Sequence, residues 1–234
     1  MKPGPKRFYK SVDVKDEAGR FAILLDGKPI KTPAGHALNA PARALADAVA
    51  DEWRAQTEHI VPDTMKLTKA LNTALDRVVA SRDAVIDDLA KYATNDLLCY
   101  RASHPAELVR RQSAAWDAWL EWAAERFGAR LLVVAGVVHI DQSPDALARL
   151  RAAIATHDEF HLTALHTGVT ITGSAVLGLA FAAKAITPDE ALAAAHLDET
   201  FQAELWGRDA EAEIVRTRRL QELRAARRFI DCLG

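Results

Sequence analysis

The pattern of apolar and polar positions changes near residue 40. Before it, RFYKSVDV and RFAILLDG are short runs of β-favouring residues, and Asp26-Gly27 between Leu25 and Lys28 suits a two-residue hairpin because both positions tolerate positive φ. Pro29 to Pro33 and His36-Ala37-Leu38 extend that pattern, with prolines marking edges. A small antiparallel β unit is predicted over roughly residues 5–40.

Beyond it the period becomes helical. Pro41 is expected in the first turn of a helix with Asn39 as its cap, and Leu45, Val49 and Trp53 recur every four residues along ALADAVADEWRAQ. IVPDTM interrupts the period, and Val61-Pro62 reads as a joint. From Lys66 the stripe resumes through Leu67, Leu71, Leu75 and Val78 or Val79. Further helices are predicted at 82–98, 105–127, 144–166, 171–185, 188–206 and 209–230, with Ser143-Pro144 and Thr187-Pro188-Asp189-Glu190 as clear starts. RLLVVAGVVHI, Arg130 to Ile140, is the one strand-like run in this half, a strand or an extended connector. The predicted class is α+β, with a small antiparallel β domain and its trailing helix over 1–62 and a larger all-helical domain over 63–234.

Composition narrows the function classes. A chain of 234 residues that is 50% hydrophobic and 26% charged can bury a core, and its 6% aromatic content with abundant alanine favours close-packed helices. A net charge of −2 gives no reason to recruit nucleic acid or an anionic membrane. Two distant cysteines, Cys99 and Cys232, supply neither a zinc spacing nor a disulfide framework, so a reducing compartment is expected. The start lacks a signal core or transit-peptide pattern, and Ile171 to Ile186, interrupted by Lys184, is too short to span a bilayer. A chain not inserted in a membrane is expected.

Candidate chemistry is sparse. HDEFH places His157 and His161 four apart, on one face if helical, as in H-E-x-x-H zinc hydrolases. Asp158 stands where those enzymes carry their general base, Glu159 points to another face, and a third ligand would have to be His166 or a distant acid. A hydrolase on His157, Asp158 and His161 is therefore the weaker reading; no metal, cofactor or catalytic residue is expected. Glycine-rich phosphate loops and a nucleophile elbow are absent, and the arginine-rich string Arg216 to Arg228 reads as a solvated, salt-bridged helix face. Asn72 and Asp76, four apart, and Asn95-Asp96 read as polar groups that bridge or cap structure. LDETFQAELWGRDAEAE, Leu197 to Glu213, carries six carboxylates without di-iron spacing. It reads as a helix end burying Phe201, Leu205 and Trp206, a Gly turn and an acidic surface, an acidic protein-interaction module rather than a site of chemistry.

Several strings, in order, resemble one family: RFYKSVDV, GRFAILLDGKPIKTPAGHAL, ALADAVADEWRAQ, MKLTKALNTALDRV, YATNDLLCYRA, the spaced Trp116, Trp119 and Trp122, THDEFHLTALHTGVTITGSAVLGLAF and LDETFQAELWGRDAEAE. Together, from about Arg7 to Phe229, they resemble the α-subunit-specific assembly chaperones of the ATP-synthase catalytic head, the ATP12 type, of mitochondria and α-proteobacteria. Lys66 after Met65, and Asn95 before Asp96, depart from that pattern, and His157 and His161 do not belong to it. The resemblance implies a non-enzymatic, ATP-independent chaperone, monomeric when free. It would cover the apolar face of newly made α subunit until β subunit displaces it, in the bacterial cytoplasm or, for a processed form, the mitochondrial matrix. It also implies a client-handling acid after the Trp206-Gly207 step, Glu211 being the best match with Asp209, Glu213 and Trp206 beside it, and a central Trp53 read as an interdomain core anchor.

Overall fold

The computed structural model describes residues 4–136, 138–207 and 209–234. Expectations touching Met1 to Pro3 (the leader reading), Val137 (within the strand-like run) and Arg208 (within the acidic string) fall, at those positions, outside the described residues. The chain divides into two compact units: Met1–Arg82 with Glu159–Ala164 and Ala225–Gly234, and Asp83–Asp158 with Leu165–Arg224.

In the first unit four antiparallel strands form around β2: β1 (Val12–Glu17), β2 (Arg20–Leu25), β3 (Lys28–Pro29) and β4 (Asn39–Ala40). The β2–β3 turn has Asp26 at φ 49° and Gly27 at φ 76°, the paired positive φ values that Asp-Gly tolerates. The Asp26 carboxylate also accepts the Lys10 and Ser11 N–H groups at 2.9 and 2.8 Å, which pins the chain entering β1. Only Val12 onward pairs, so just the last three residues of RFYKSVDV are strand. α1 (Arg43–Arg54) covers β1 and β2 through its buried stripe of Leu45, Ala46 and Val49.

The helix start differs from the expectation. Asn39 lies in β4, and α1 begins after Ala42 without a side-chain cap; pairing of Asn39 with Ala22 in the sheet takes precedence over capping. α2 (Lys66–Thr73) receives its cap from another helix: the Glu52 carboxylate of α1 accepts Leu67 N–H, Thr68 N–H and the Thr68 hydroxyl, each at 2.8 Å. A π-turn, Ala74–Val78, follows.

The second unit is built on α3 (Arg82–Lys91, whose first residue counts with the first unit), α4 (Ala106–Phe127), α5 (Pro144–Ala155), α6 (Glu159–Thr172), α7 (Ala175–Ala182), α8 (Pro188–Ala195), α9 (Leu197–Trp206) and α10 (Ala210–Asp231). The first six residues of α6 and the end of α10 count with the first unit. The helical part also carries one parallel ladder, β5 (Tyr100–Arg101) with β6 (Val134–Ala135), so most of RLLVVAGVVHI is connector. The fold is α+β, an N-terminal antiparallel sheet followed by a larger helical region.

Three predicted helices are broken at points that periodicity does not reveal. The 82–98 helix ends at Lys91 and gives way to 3-10 turns around Asp96, which is fully buried. Its carboxylate accepts Leu98 N–H and, at the start of α7, Val176 N–H, both at 3.1 Å. Burial pushes the Asp96 carboxyl up to about 6, against the opposing hydrogen bonds from Ser174 and from the Leu98, Val176 and Ala175 amides. The 144–166 helix splits because Thr156 Oγ1 donates to the Ala153 carbonyl, and His157 Nδ1 lies 3.2 Å from the Ala153 and Ile154 carbonyls. The 188–206 helix turns at His196, between α8 and α9. No helix among the described residues is long and apolar enough to cross a membrane.

Candidate functional site

The end of α9 and the start of α10 form an elbow. Gly207 joins them at φ 96°, ψ 161°, a conformation essentially restricted to glycine. Asp209 then accepts Glu211 N–H at 3.0 Å and holds the first turn of α10.

Side chains sort sharply across this elbow. Phe201 is buried under the Arg111 guanidinium of α4, 5.3 Å from its ring centroid. Leu205 and Trp206, expected inside, are exposed, Trp206 at 78%. The reason is helix rotation. Glu204 turns back to α4, accepting Arg111 Nη1 at 2.7 Å, and Asp198 accepts Gln112 Nε2 at 2.8 Å; the residues following Glu204 face outward. Ile214 and Val215 of α10 are exposed as well. Between the helices lies a cleft of about 460 Å³, walled by Ala203, Trp206 and Val215 with His196, Arg216 and Arg219 inside and Glu199, Asp209 and Glu213 also lining it.

Of the six carboxylates in the acidic string, Asp198 and Glu204 are bound to α4 and Asp209 caps α10. Glu199, Glu211 and Glu213 have no side-chain hydrogen bond or ion-pair partner among the described residues, and Glu211 is exposed. Structure thus brings Trp206, Asp209, Glu211 and Glu213 to one elbow. The exposed Leu205, Ile214 and Val215 were missed by sequence reasoning; a helical wheel drawn with Glu204 pointing inward would have found Leu205.

The other singled-out residues serve the first unit. Tyr9 packs edge-on to Trp53, 5.7 Å between centroids, and its hydroxyl donates to the Trp53 carbonyl at 2.6 Å. Asp76 accepts the Thr32 hydroxyl and Ala34 N–H at 3.0 Å, and pairs with His36 Nδ1 at 2.9 Å, fastening the 32–36 loop to the π-turn. Desolvation would raise its carboxyl, yet the bonds from Thr32, Ala34 and His36 together hold it below the usual aspartate range. Asn72 Oδ1 and Trp53 Nε1 are buried without a hydrogen-bond partner among the described residues. A second cleft of about 540 Å³, between α1 and the 57–64 segment, is lined by groups already engaged, such as Glu52 and Gln56.

The HDEFH histidines do not share a helix. His157 caps the end of α5, and His161 lies within α6. Among the described residues no group of three or more His, Cys, Asp or Glu side chains is arranged to hold a metal.

By architecture this is an α+β protein with an apolar elbow open to solvent. Residues 6–124 match the ATP12 chaperone protein family, and the chain belongs to that family. It is a family of chaperones rather than enzymes, acting in ATP synthase assembly. Solved relatives include a point mutant of Paracoccus denitrificans Atp12p, 43% identical with a TM-score of 0.95 over 98% of both chains. Another is the Agrobacterium tumefaciens protein Atu1473, 46% identical with a TM-score of 0.94, covering 98% of this chain and 87% of that one. A mitochondrial protein atp12 from Schizosaccharomyces pombe is 22% identical over 218 residues, spanning 88% of this chain and 75% of its own.

Proposed function

We propose that the chain is an ATP-independent chaperone that binds the newly made α subunit of the F-type ATP synthase and shields the face destined for the β subunit, which later displaces it. The client contacts fall at the elbow, on Trp206 with Glu211, Glu213 and Asp209. Supporting this reading is the exposure of Leu205, Trp206, Ile214 and Val215 beside unpaired acids. Exposed apolar side chains grouped with charge mark interaction surfaces. An isolated subunit of an oligomer presents the complementary problem, a bare apolar interface that aggregates until covered. The matching client segment is apolar and flanked by lysine or arginine.

The reading extends to organisation. The functional division is residues 1–62 against 63–234, the free protein is a monomer, and it acts where the synthase is built, the bacterial cytoplasm or the mitochondrial matrix. Isolated α subunit, diluted from denaturant without nucleotide, is expected to stay in solution with equimolar protein and to aggregate with a Glu211→Lys variant of unchanged circular dichroism. Equal aggregation with and without the wild-type protein would sink the proposal.

A further inference from the structure

His196 occupies the joint between α8 and α9, and its side chain is buried in the cleft. Its Nε2 lies 2.9 Å from Arg219 Nη1 of α10. A guanidinium only donates, so Nε2 must be the acceptor, and the imidazole is neutral with its proton on Nδ1. The backbone of His196 is fixed at the same time: its carbonyl accepts Thr200 N–H at 3.0 Å and the Thr200 hydroxyl at 2.7 Å. One side chain therefore ties α10 to the α8–α9 joint through a bond that exists in only one protonation state.

We infer that His196 is a proton-sensitive latch for the α9–α10 elbow: neutral, it holds Arg219 and keeps the two helices at their present separation; protonated, it releases α10 and reshapes the cleft. Protonation replaces the acceptor lone pair with a second donor facing a donor, and adds a positive charge beside an existing one. Arg216 of α10 stands on the same side, and Glu199 of α9 is the sole opposing charge acting on the ring among the described residues. Of the other charges around the cleft, Glu213 of α10 lines it without a side-chain partner among the described residues, while Asp209 caps α10; those on α8 and α4 are engaged. Asp189 of α8 binds Arg224, Glu190 caps its own helix, and on α4 Arg111 binds Glu107 and Glu204 while Asp117 pairs with Arg101. Desolvation first, then Arg219 and Arg216, hold the imidazole below its ordinary value, outweighing Glu199, which agrees with the geometry. Trp206 and Val215 wall this cleft, so the latch sets the shape of the surface proposed above for the client; only that consequence rests on the chaperone reading.

The test uses the full chain without client. Histidine ring and backbone amide NMR signals are followed from pH 8 to pH 5 in wild type, His196→Gln and Arg219→Gln. Glutamine at 196 keeps an acceptor that cannot titrate, and glutamine at 219 keeps a neutral donor. In wild type the His196 ring is expected to titrate below about 6.5, with the amides of Gly207, Ala212 and Val215 moving at the same midpoint. His196→Gln loses that elbow transition, and Arg219→Gln shifts the His196 midpoint upward. Elbow amides that move identically in His196→Gln, or a His196 midpoint unchanged by Arg219→Gln, would overturn the latch. Should His196→Gln not fold, the Arg219→Gln midpoint decides alone. A failed aggregation assay leaves these readings untouched, while a flat titration alongside intact client protection refutes only the latch.

Discussion

Two helices of the second unit, α7 and α9, are short and carry large apolar residues near their C-terminal ends, yet they treat them oppositely. Every residue of α7, AVLGLAFA, is buried, whereas in α9 only Phe201 is. Ser174 accepts Leu177 N–H at 3.0 Å and Asp96 accepts Val176 N–H, so the buried start of α7 is fully capped. α9 ends at Gly207, with Leu205 and Trp206 facing solvent. Burial follows what the neighbours offer rather than hydrophobicity alone. α7 meets a glycine-notched α6, while α9 is turned by its polar bonds to α4 so that its last apolar residues face out.

The strongest way to break this contrast is to spoil the buried helix. A Cβ on Gly178 would stand 2.3 Å from Val169 Cγ2 and 3.0 Å from the Val169 amide nitrogen, so α6 must move. Gly178→Val is expected to lower stability by about 3 kcal/mol or more, read as the urea midpoint. An unchanged midpoint would mean that α6 and α7 do not approach as described.

Next in size is Asp96→Ala, which orphans the Leu98 and Val176 amides and is expected to cost about 2–3 kcal/mol. Asp96→Asn isolates the charge. The folded carboxyl is raised to about 6 from 3.8, so between those values the native state keeps a proton that the unfolded chain has lost. Stability from Asp96 is therefore greatest below pH 4 and falls as pH rises to 6, by about 3 kcal/mol for two units. The gap between wild type and Asp96→Asn should shift against wild type over that window in urea titrations; a constant gap would show the carboxylate to be ionised throughout.

Gly207→Ala tests the elbow itself. Apart from its chain neighbours, no atom of the described residues lies within 4 Å of an added Cβ, so the expected cost of about 1–3 kcal/mol is conformational. Tm should fall, and the fluorescence of Trp206 should change with the new elbow angle. Unchanged values for both would remove the glycine requirement.

What the sequence made legible follows the same divide. Features with a local cause were readable: the Asp26-Gly27 turn, the Thr187-Pro188 start, which closes as a capping box through Glu190, and the Gly207 break. Features set by distant partners were not. Glu52 caps α2 from fifteen residues away, Asp96 caps α7 from eighty, and His196, where one predicted helix becomes two, bonds Arg219 twenty-three residues on. The acidic string reads as a surface, but its spacing also places Leu205 and Trp206 inside, where the structure exposes them. Helical spacing puts Phe201 and Leu205 on one face and says nothing of the Arg111–Glu204 pair on α4. The ATP12 family resemblance rests on strings along nearly the whole chain, so it does not depend on the placement of any one element.

Trp206 gives the smallest stability effect and the cleanest separation of the two helices. A side chain that is 78% exposed loses little packing on truncation, so Trp206→Ala should change the urea midpoint by no more than about 0.5 kcal/mol. Phe181, fully buried on α7, sets the contrast: Phe181→Ala should cost about 3–5 kcal/mol. If Trp206 anchors the client, its removal should weaken α-subunit binding about 30-fold, the size of a 2 kcal/mol hot spot, measured by titration of α with labelled protein. Equal binding by wild type and variant would move the client surface away from the elbow. A large fall in stability would instead show that the exposed tryptophan is structural, and that α9 and α7 differ less than their exposure implies.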